Sequence, residues 1–412
     1  MSDRMSCSQR EPVMVITRCP LPLPLIFSSL FLVACGNAAV NQRSASGHDY
    51  HPDKQTSKQE ETRPAVATVL DLHQSLDLKT LTPVLATRRV VYVGESHDNY
   101  AHHRAQLAVI EALYESGADL AIGMEMFQQP YQQYLDDYIA GKISEAEMLR
   151  KTEWYERWVY DYRFYRPILN FAKENGIPVI ALNVPREITR RVSKAGLKSL
   201  SEEERGQVPA DIDYSDQAYT DRLKQIFNQH GKEISQDFER FLQVQLLWDE
   251  GMAERAAAYL MEQPQKQLVI LAGSGHLMHS SGIPNRIQRR QQVSSAVVLP
   301  GGDLKIEPGI ADFMLFPEAA ELPPAAVMGI YMEKADNGVL VSGVLKEGAA
   351  ELGGVERDDI ILAFDGEVVA SPNDLRIQLL KKKPGDDARL TLLRRRILFG
   401  DKQLEVNLTL GQ

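Results

Sequence analysis

The stretch Arg88-Arg89-Val90-Val91-Tyr92-Val93-Gly94-Glu95-Ser96-His97 decides the fold. Val90 to Val93 is a short β-branched, apolar run of the kind that forms a buried strand. Gly94 ends it, and Glu95 and His97 follow at once, past the strand's carboxyl end. An amphipathic helix then begins near Asp98 and carries Leu107, Ile110 and Leu113 on one face. Strand, sharp turn, polar pair and helix form the unit in which open α/β sheets hold their ligands.

The same grammar recurs three times. Asp119 to Met124 ends in Glu125; Ile177 to Leu182 ends in Asn183, with Arg186 opening a helix after Pro185; Leu268 to Ala272 ends in Gly273-Ser274-Gly275-His276. In a parallel sheet these ends share one edge, so Glu95, His97, Glu125, Asn183, Arg186 and His276 are expected to converge on one cleft. Strands alternating with helices from about Val66 to Glu307 imply an α/β domain, a largely parallel sheet flanked by helices. Helical insertions, about 130–175 and 201–263, interrupt it.

The chain has 412 residues, enough for two or three domains, and a formal net charge of -10, which argues against nucleic acid as a partner. Its cysteines stand at 7, 19 and 35, so neither disulfides nor thiolate metal sites belong to the main fold. Arg4, Arg10 and Arg18 flank an apolar run, Leu21 to Ala34, that is too short to span a bilayer as a helix. Leu32-Val33-Ala34-Cys35 closes it in the manner of a bacterial lipoprotein signal. Residues 1–34 are therefore expected to be a signal peptide, with Cys35 lipidated and the protein held on the outer membrane, facing the periplasm. Residues 35–65 are polar and read as a flexible tether.

Trp154, Tyr155, Trp158, Tyr160, Tyr162, Phe164 and Tyr165 fall within twelve residues, in a chain only 7% aromatic. Such a concentration suits a half-exposed surface that receives a flat ligand or a partner. A tyrosine phenolate can also ligate ferric haem.

Val-Gly-Glu-Ser-His (93–97), Gly-Met-Glu-Met-Phe (123–127), Tyr-Arg-Pro-Ile-Leu (165–169), Ile-Pro-Val-Ile-Ala-Leu-Asn-Val-Pro-Arg-Glu (177–187), Leu-Leu-Trp-Asp-Glu-Gly-Met-Ala (246–253) and Gly-Ser-Gly-His (273–276) occur in order across residues 66–308. Together they resemble the ChaN-like haem-binding lipoproteins. The resemblance implies haem bound between two protomers, a homodimer on haem binding and a role in haem or iron uptake. It also implies a tyrosine on the iron, with a histidine and a lysine at the propionates. Tyr165, Tyr160 and Tyr155 are the tyrosine candidates, Tyr165 first; His97 and His276 are the histidines, and no lysine is assigned. The same fold family includes the erythromycin esterases and Tiki-type proteases. That leaves a hydrolase open, in which Glu95, His97, Glu125 and His276 activate water directly or through a divalent metal. The chain carries neither a nucleophile elbow nor a His-Glu-x-x-His helix.

Residues 309–324 read as a proline- and alanine-rich linker, and residues 325–412 as a second domain. Gly348 to Gly366 resembles the centre of an HtrA-type PDZ domain. That resemblance implies capture of a carboxyl-terminal peptide as an added strand, its carboxylate on the amides of Val327-Met328-Gly329-Ile330.

Overall fold

The computed structural model describes residues 76–230, 237–302, 304–395 and 400–412. The expected signal peptide, the expected tether and Cys35 lie outside the described residues.

The first domain runs α1 (Leu78–Ala86), β1 (Val90–Glu95), α2 (Tyr100–Glu115), β2 (Leu120–Gln128), α3 (Gln132–Ile139), α4 (Glu145–Lys151), α5 (Trp154–Arg157), α6 (Arg166–Glu174) and β3 (Val179–Asn183). It continues with α7 (Arg186–Ala195), α8 (Glu202–Arg205), α9 (Gln217–His230), α10 (Phe238–Glu262), β4 (Gln267–Gly273), α11 (Ile283–Arg290), β5 (Ser295–Pro300) and β6 (Phe313–Leu315). All six strands are parallel, in the order β3-β2-β4-β1-β5-β6. The four expected strands are the four central and edge strands nearest the site. β5 and β6 complete the sheet, and β6 lies within the segment 309–324 that reads as a linker.

Side chains alternate across a strand, so each strand feeds two cores. Val91, Val93, Ile122, Met124, Val269 and Leu271 pack with Leu85, Ile110, Leu113, Ile168 and Leu169 of α1, α2 and α6. Their neighbours Val90, Tyr92, Ala121, Ile270 and Ala272 face the other way, onto Met252, Ala256, Leu260, Ile283 and Ile287 of α10 and α11. This double burial explains why the strands read as continuous apolar runs. Helix starts follow capping chemistry: the Asn99 side chain accepts from Ala101 N at 3.1 Å ahead of α2, and Asp237 from Arg240 N at 2.9 Å ahead of α10.

The outer edge of β3 is closed by one side chain. The Gln132 amide donates to Val179 O and accepts from Ala181 N, both at 2.8 Å, so it stands in for a neighbouring strand.

The second domain holds β7 (Ile330–Ala335), β8 (Gly338–Val344), α12 (Ala349–Leu352), β9 (Ile360–Phe364), β10 (Glu367–Val368), α13 (Pro372–Leu379), β11 (Asp387–Arg394) and β12 (Lys402–Thr409). Its strands run β12-β11-β9-β8-β7, all antiparallel, with β10 paired to β9. Asp365 and Gly366, both at positive φ, make the β9–β10 turn.

The two domains share α13. Leu375 packs in the second domain's core, whereas Ile377, two residues on and 3% exposed, packs in the first domain's core. Around it, Arg150 Nε donates to Asp374 Oδ1 at 2.7 Å, Arg166 Nη1 to Leu380 O at 3.2 Å and Asn373 Nδ2 to Glu156 Oε1. The Arg376 guanidinium lies 5.7 Å from the Tyr155 ring centre.

Candidate functional site

The expected convergence occurs at the carboxyl ends of β1, β2 and β4. Glu95 is the last residue of β1, Glu125 lies inside β2 because that strand runs on to Gln128, and His276 ends the turn after β4. Gly273 is the floor. A Cβ there would stand 3.0 Å from His97 Cε1 and 3.7 Å from Glu125 Oε2, so only glycine lets the imidazole come this close. Gly94 has a similar reason: a Cβ would meet Leu299 Cδ2 at 2.5 Å and Ser274 Oγ at 2.8 Å.

Two matching relays meet over this floor. In the first, His97 Nδ1 donates to Glu95 Oε1 at 2.7 Å, and Tyr165 donates its phenolic hydrogen to the same oxygen at 3.1 Å. His103 Nδ1 lies 3.2 Å from Glu95 Oε2, and its Nε2 faces His97 O at 3.1 Å. In the second, His276 Nδ1 donates to Asp249 Oδ1 at 2.6 Å, and Tyr219 donates to Asp249 Oδ2 at 2.6 Å. Glu125 stands between them: Oε2 accepts from Gly273 N at 2.7 Å, and Oε1 is 3.5 Å from His276 Nε2. Each histidine therefore spends Nδ1 on a buried carboxylate, which fixes its ring and leaves Nε2 for other work.

The charges reinforce one another. Burial alone would raise the Glu95 pKa, but the charge and hydrogen bond of His103, with those of His97, outweigh it and hold the carboxyl well below the usual carboxylate range. Burial disfavours the charged form of His97, yet its hydrogen bond to Glu95 and the charges of Glu125 and Glu95 raise its pKa overall. For His276 burial is likewise overcome, by the charges of Glu125 and Asp249 and the Asp249 hydrogen bond, and its pKa is pushed up to about 9. Both phenols are shifted upward too, which keeps them neutral. Burial, then the adjacent carboxylate, pushes Tyr165 and Tyr219 well above the ordinary tyrosine value.

The aromatic segment forms the rim. His97 meets the Trp158 ring edge-on at 5.0 Å and the Tyr160 ring at 4.9 Å, while Trp248 meets His276 at 6.3 Å. Trp158, Tyr160 and Trp248 are half-buried, and Val159 is 53% exposed. Of the three candidate tyrosines, Tyr160 alone lies on this rim beside His97. Tyr165 is fully buried beneath it, with its hydroxyl on Glu95. Tyr155 faces Arg376 of the second domain, and burial, then Asp161, raises its pKa.

Asn183 and Arg186 support the site from outside. The Asn183 amide donates to Glu125 O at 3.1 Å and accepts from Val184 N at 2.9 Å, tying β2 to β3. Arg186 donates to the Glu156 carbonyl and so anchors the aromatic segment. The divalent-metal expectation finds no support: among the described residues no three His, Cys, Asp or Glu side chains are arranged to hold a metal ion. Both oxygens of Asp249 already accept, from His276 and Tyr219, and Glu95 Oε1 accepts from His97 and Tyr165.

Asp249, Tyr219 and His103 escape a reading of strand ends because they sit within helices. Asp249 did leave a signal: it interrupts the apolar run Leu246-Leu247-Trp248, and a carboxylate buried there requires a partner. Its neighbour Glu250 serves structure instead, ringed by Arg286, Arg289 and Arg290.

A parallel α/β sheet with paired histidine relays at its carboxyl edge, joined to a PDZ fold, defines the class. Residues 81–287 match the family described as haem-binding uptake, Tiki superfamily, ChaN, and the chain belongs to that family. Residues 326–410 match the PDZ domain family. The chain is similar to the ChaN of Campylobacter jejuni, whose solved structure concerns cofacial heme binding, with 18% identity and a TM-score of 0.49 over 60% of this chain and 93% of that one. Among curated proteins it resembles RETICULATA-RELATED 5, chloroplastic, of Arabidopsis thaliana, 29% identical over 138 residues, 31% of this chain and 18% of that protein. A probable periplasmic serine endoprotease DegP-like of Brucella suis is 34% identical over 87 residues, 21% of this chain and 15% of its own length. The chain thus spans less than a fifth of either curated relative.

Proposed function

We propose that this chain is a lipid-anchored, periplasm-facing protein that binds haem in haem or iron uptake, holding it between two protomers at the rim around His97. Its family membership supports haem as the ligand. The observation that carries the reading is the half-buried Trp158–Tyr160 pair packed against His97, with exposed Val159 between them. A flat apolar ligand needs such a face, and its iron needs an anionic oxygen. Tyr160 is the ligand this reading selects. A phenol must lose its proton to bind ferric iron, and the Tyr165 proton is held by Glu95 in a buried site that disfavours phenolate. Haem would supply the iron that accepts the phenolate. His97 and His276, both with raised pKa, favour carboxylates such as propionates nearby. A second copy of the rim would cover the ligand's other face. The basic flank, Leu21 to Ala34 and Cys35 support the anchor.

The test is a hemin titration of the protein lacking residues 1–35, read by absorption and sedimentation, with Tyr160→Phe and Tyr165→Phe in parallel. We expect a saturable high-spin ferric spectrum with dimerisation, and at least tenfold weaker binding in Tyr160→Phe. Hemin binding no tighter than to an unrelated protein would sink the reading. Labelled palmitate entering the full chain, and lost in Cys35→Ala, tests the anchor.

A further inference from the structure

The PDZ fold places its ligand groove between the free edge of β7 and α13. β7 ends the second sheet, and among the described residues no strand covers its outer side. Ile330 and Met332, two apart on β7, and Leu375 and Leu379, four apart on α13, pack in one apolar cluster. A residue seated there would press α13 away from β7, and α13 is packed on its other side as well.

Its opposite face belongs to the first domain. Ile377 is buried in that domain's core, with Leu380 packed against it. Asp374 is held by Arg150, Asn373 by Glu156, and Arg376 covers Tyr155. Tyr155 and Glu156 are α5 residues, and two positions on stands Trp158, whose ring contacts His97. The Glu156 carbonyl also holds Arg186. One helix is thus the wall of a peptide groove and the support of the aromatic rim, and a packed element shared by two sites is a route by which they couple.

We propose that a peptide carboxyl terminus in the β7–α13 groove and a ligand at the His97 rim are thermodynamically linked through α13. Displacement of α13 by the peptide loosens the Trp154–Tyr160 rim and weakens binding there; by reciprocity, rim occupancy weakens the peptide. The linkage rests on the haem reading only for its ligand, since the loosening itself is a property of the ligand-free chain.

The probe is a pool of ten-residue peptides with a free carboxylate and Val, Leu or Phe last, with the same pool amidated as control. Amide hydrogen exchange of the haem-free chain should quicken several-fold across 154–162 with the free pool and not with the amidated one. The hemin dissociation constant should rise about fivefold to tenfold, at the lower end of the usual range of such couplings. Arg150→Ala/Glu156→Ala, which leaves the second domain's sequence intact, should keep peptide binding and bring both effects close to zero; Arg150→Lys should retain them in part. Peptide that binds without changing exchange across 154–162 overturns the linkage, as does equal action of the amidated pool or a groove that takes neither. Changed exchange without any hemin binding would instead reject haem and keep the linkage.

Discussion

Glu95 Oε1 lies 2.7 Å from His97 Nδ1 in a site where the carboxylate is wholly buried and the imidazole side chain is 12% exposed. The same arrangement repeats at Asp249 and His276, from different helices and strands. Each buried carboxylate orients a ring, and a buried phenol orients each carboxylate. Either histidine is therefore preorganised before any ligand arrives.

Replacing Glu95 by Gln should cost about 3 kcal/mol at pH 7, the usual scale for breaking a buried ion pair. The Glu95 pKa is lowered on folding, so its contribution is present above the unfolded value of about 4.5 and disappears as pH falls toward the depressed folded one. Urea unfolding of both proteins at pH 7 and pH 3.5 should show their gap narrowing at the lower pH. A constant gap would mean that Glu95 acts by packing alone.

His276 titrates in the opposite sense. Its pKa rises on folding to about 9, so its stabilisation is complete below the unfolded value near 6.5 and fades as pH rises through 9. Asp249→Asn should return the imidazole toward an ordinary pKa, visible in the NMR titration of its ring protons. The stability lost in this variant should be larger at pH 6 than at pH 9.5.

Two glycines separate site geometry from fold. Gly273→Ala should cost about 1 kcal/mol, because the His97 ring can shift by a few tenths of an ångström, but hemin binding should weaken far more than stability suggests. Gly282→Ala sets a methyl against the carbonyl of His276, backbone that has no room to give, and should cost about 3 kcal/mol or more. Thermal melts of the two variants settle the order.

Gln132→Ala removes both hydrogen bonds that close the β3 edge, and we expect a loss of about 2 kcal/mol. Hydrogen exchange at the Ala181 amide should quicken ahead of its neighbours. Light scattering during refolding should also rise, since an open edge strand recruits further chains.

Much of this architecture is readable in the chain because double-sided burial writes each strand as an apolar run and the parallel sheet sends the residue after it to one edge. Glu95, His97, Glu125 and His276 follow from that rule. Asp249 and Tyr219 do not: they reach His276 from helices 27 and, through Asp249, a further 30 residues away, and nothing local marks the pairing. β6, three residues of intermediate burial beside prolines, lacks the length that would distinguish it from a linker. Tyr165 stands in a matching motif, yet a motif cannot tell a tyrosine that faces a ligand from one that braces a carboxylate.

Ile377 has a consequence for the molecule as a whole. A side chain encoded in the second domain completes the interior of the first, so the second cannot melt away without opening a cavity in its neighbour. Heating should accordingly give a single calorimetric peak, and severing the chain near residue 320 would leave two sticky fragments where the sequence suggests two independent modules.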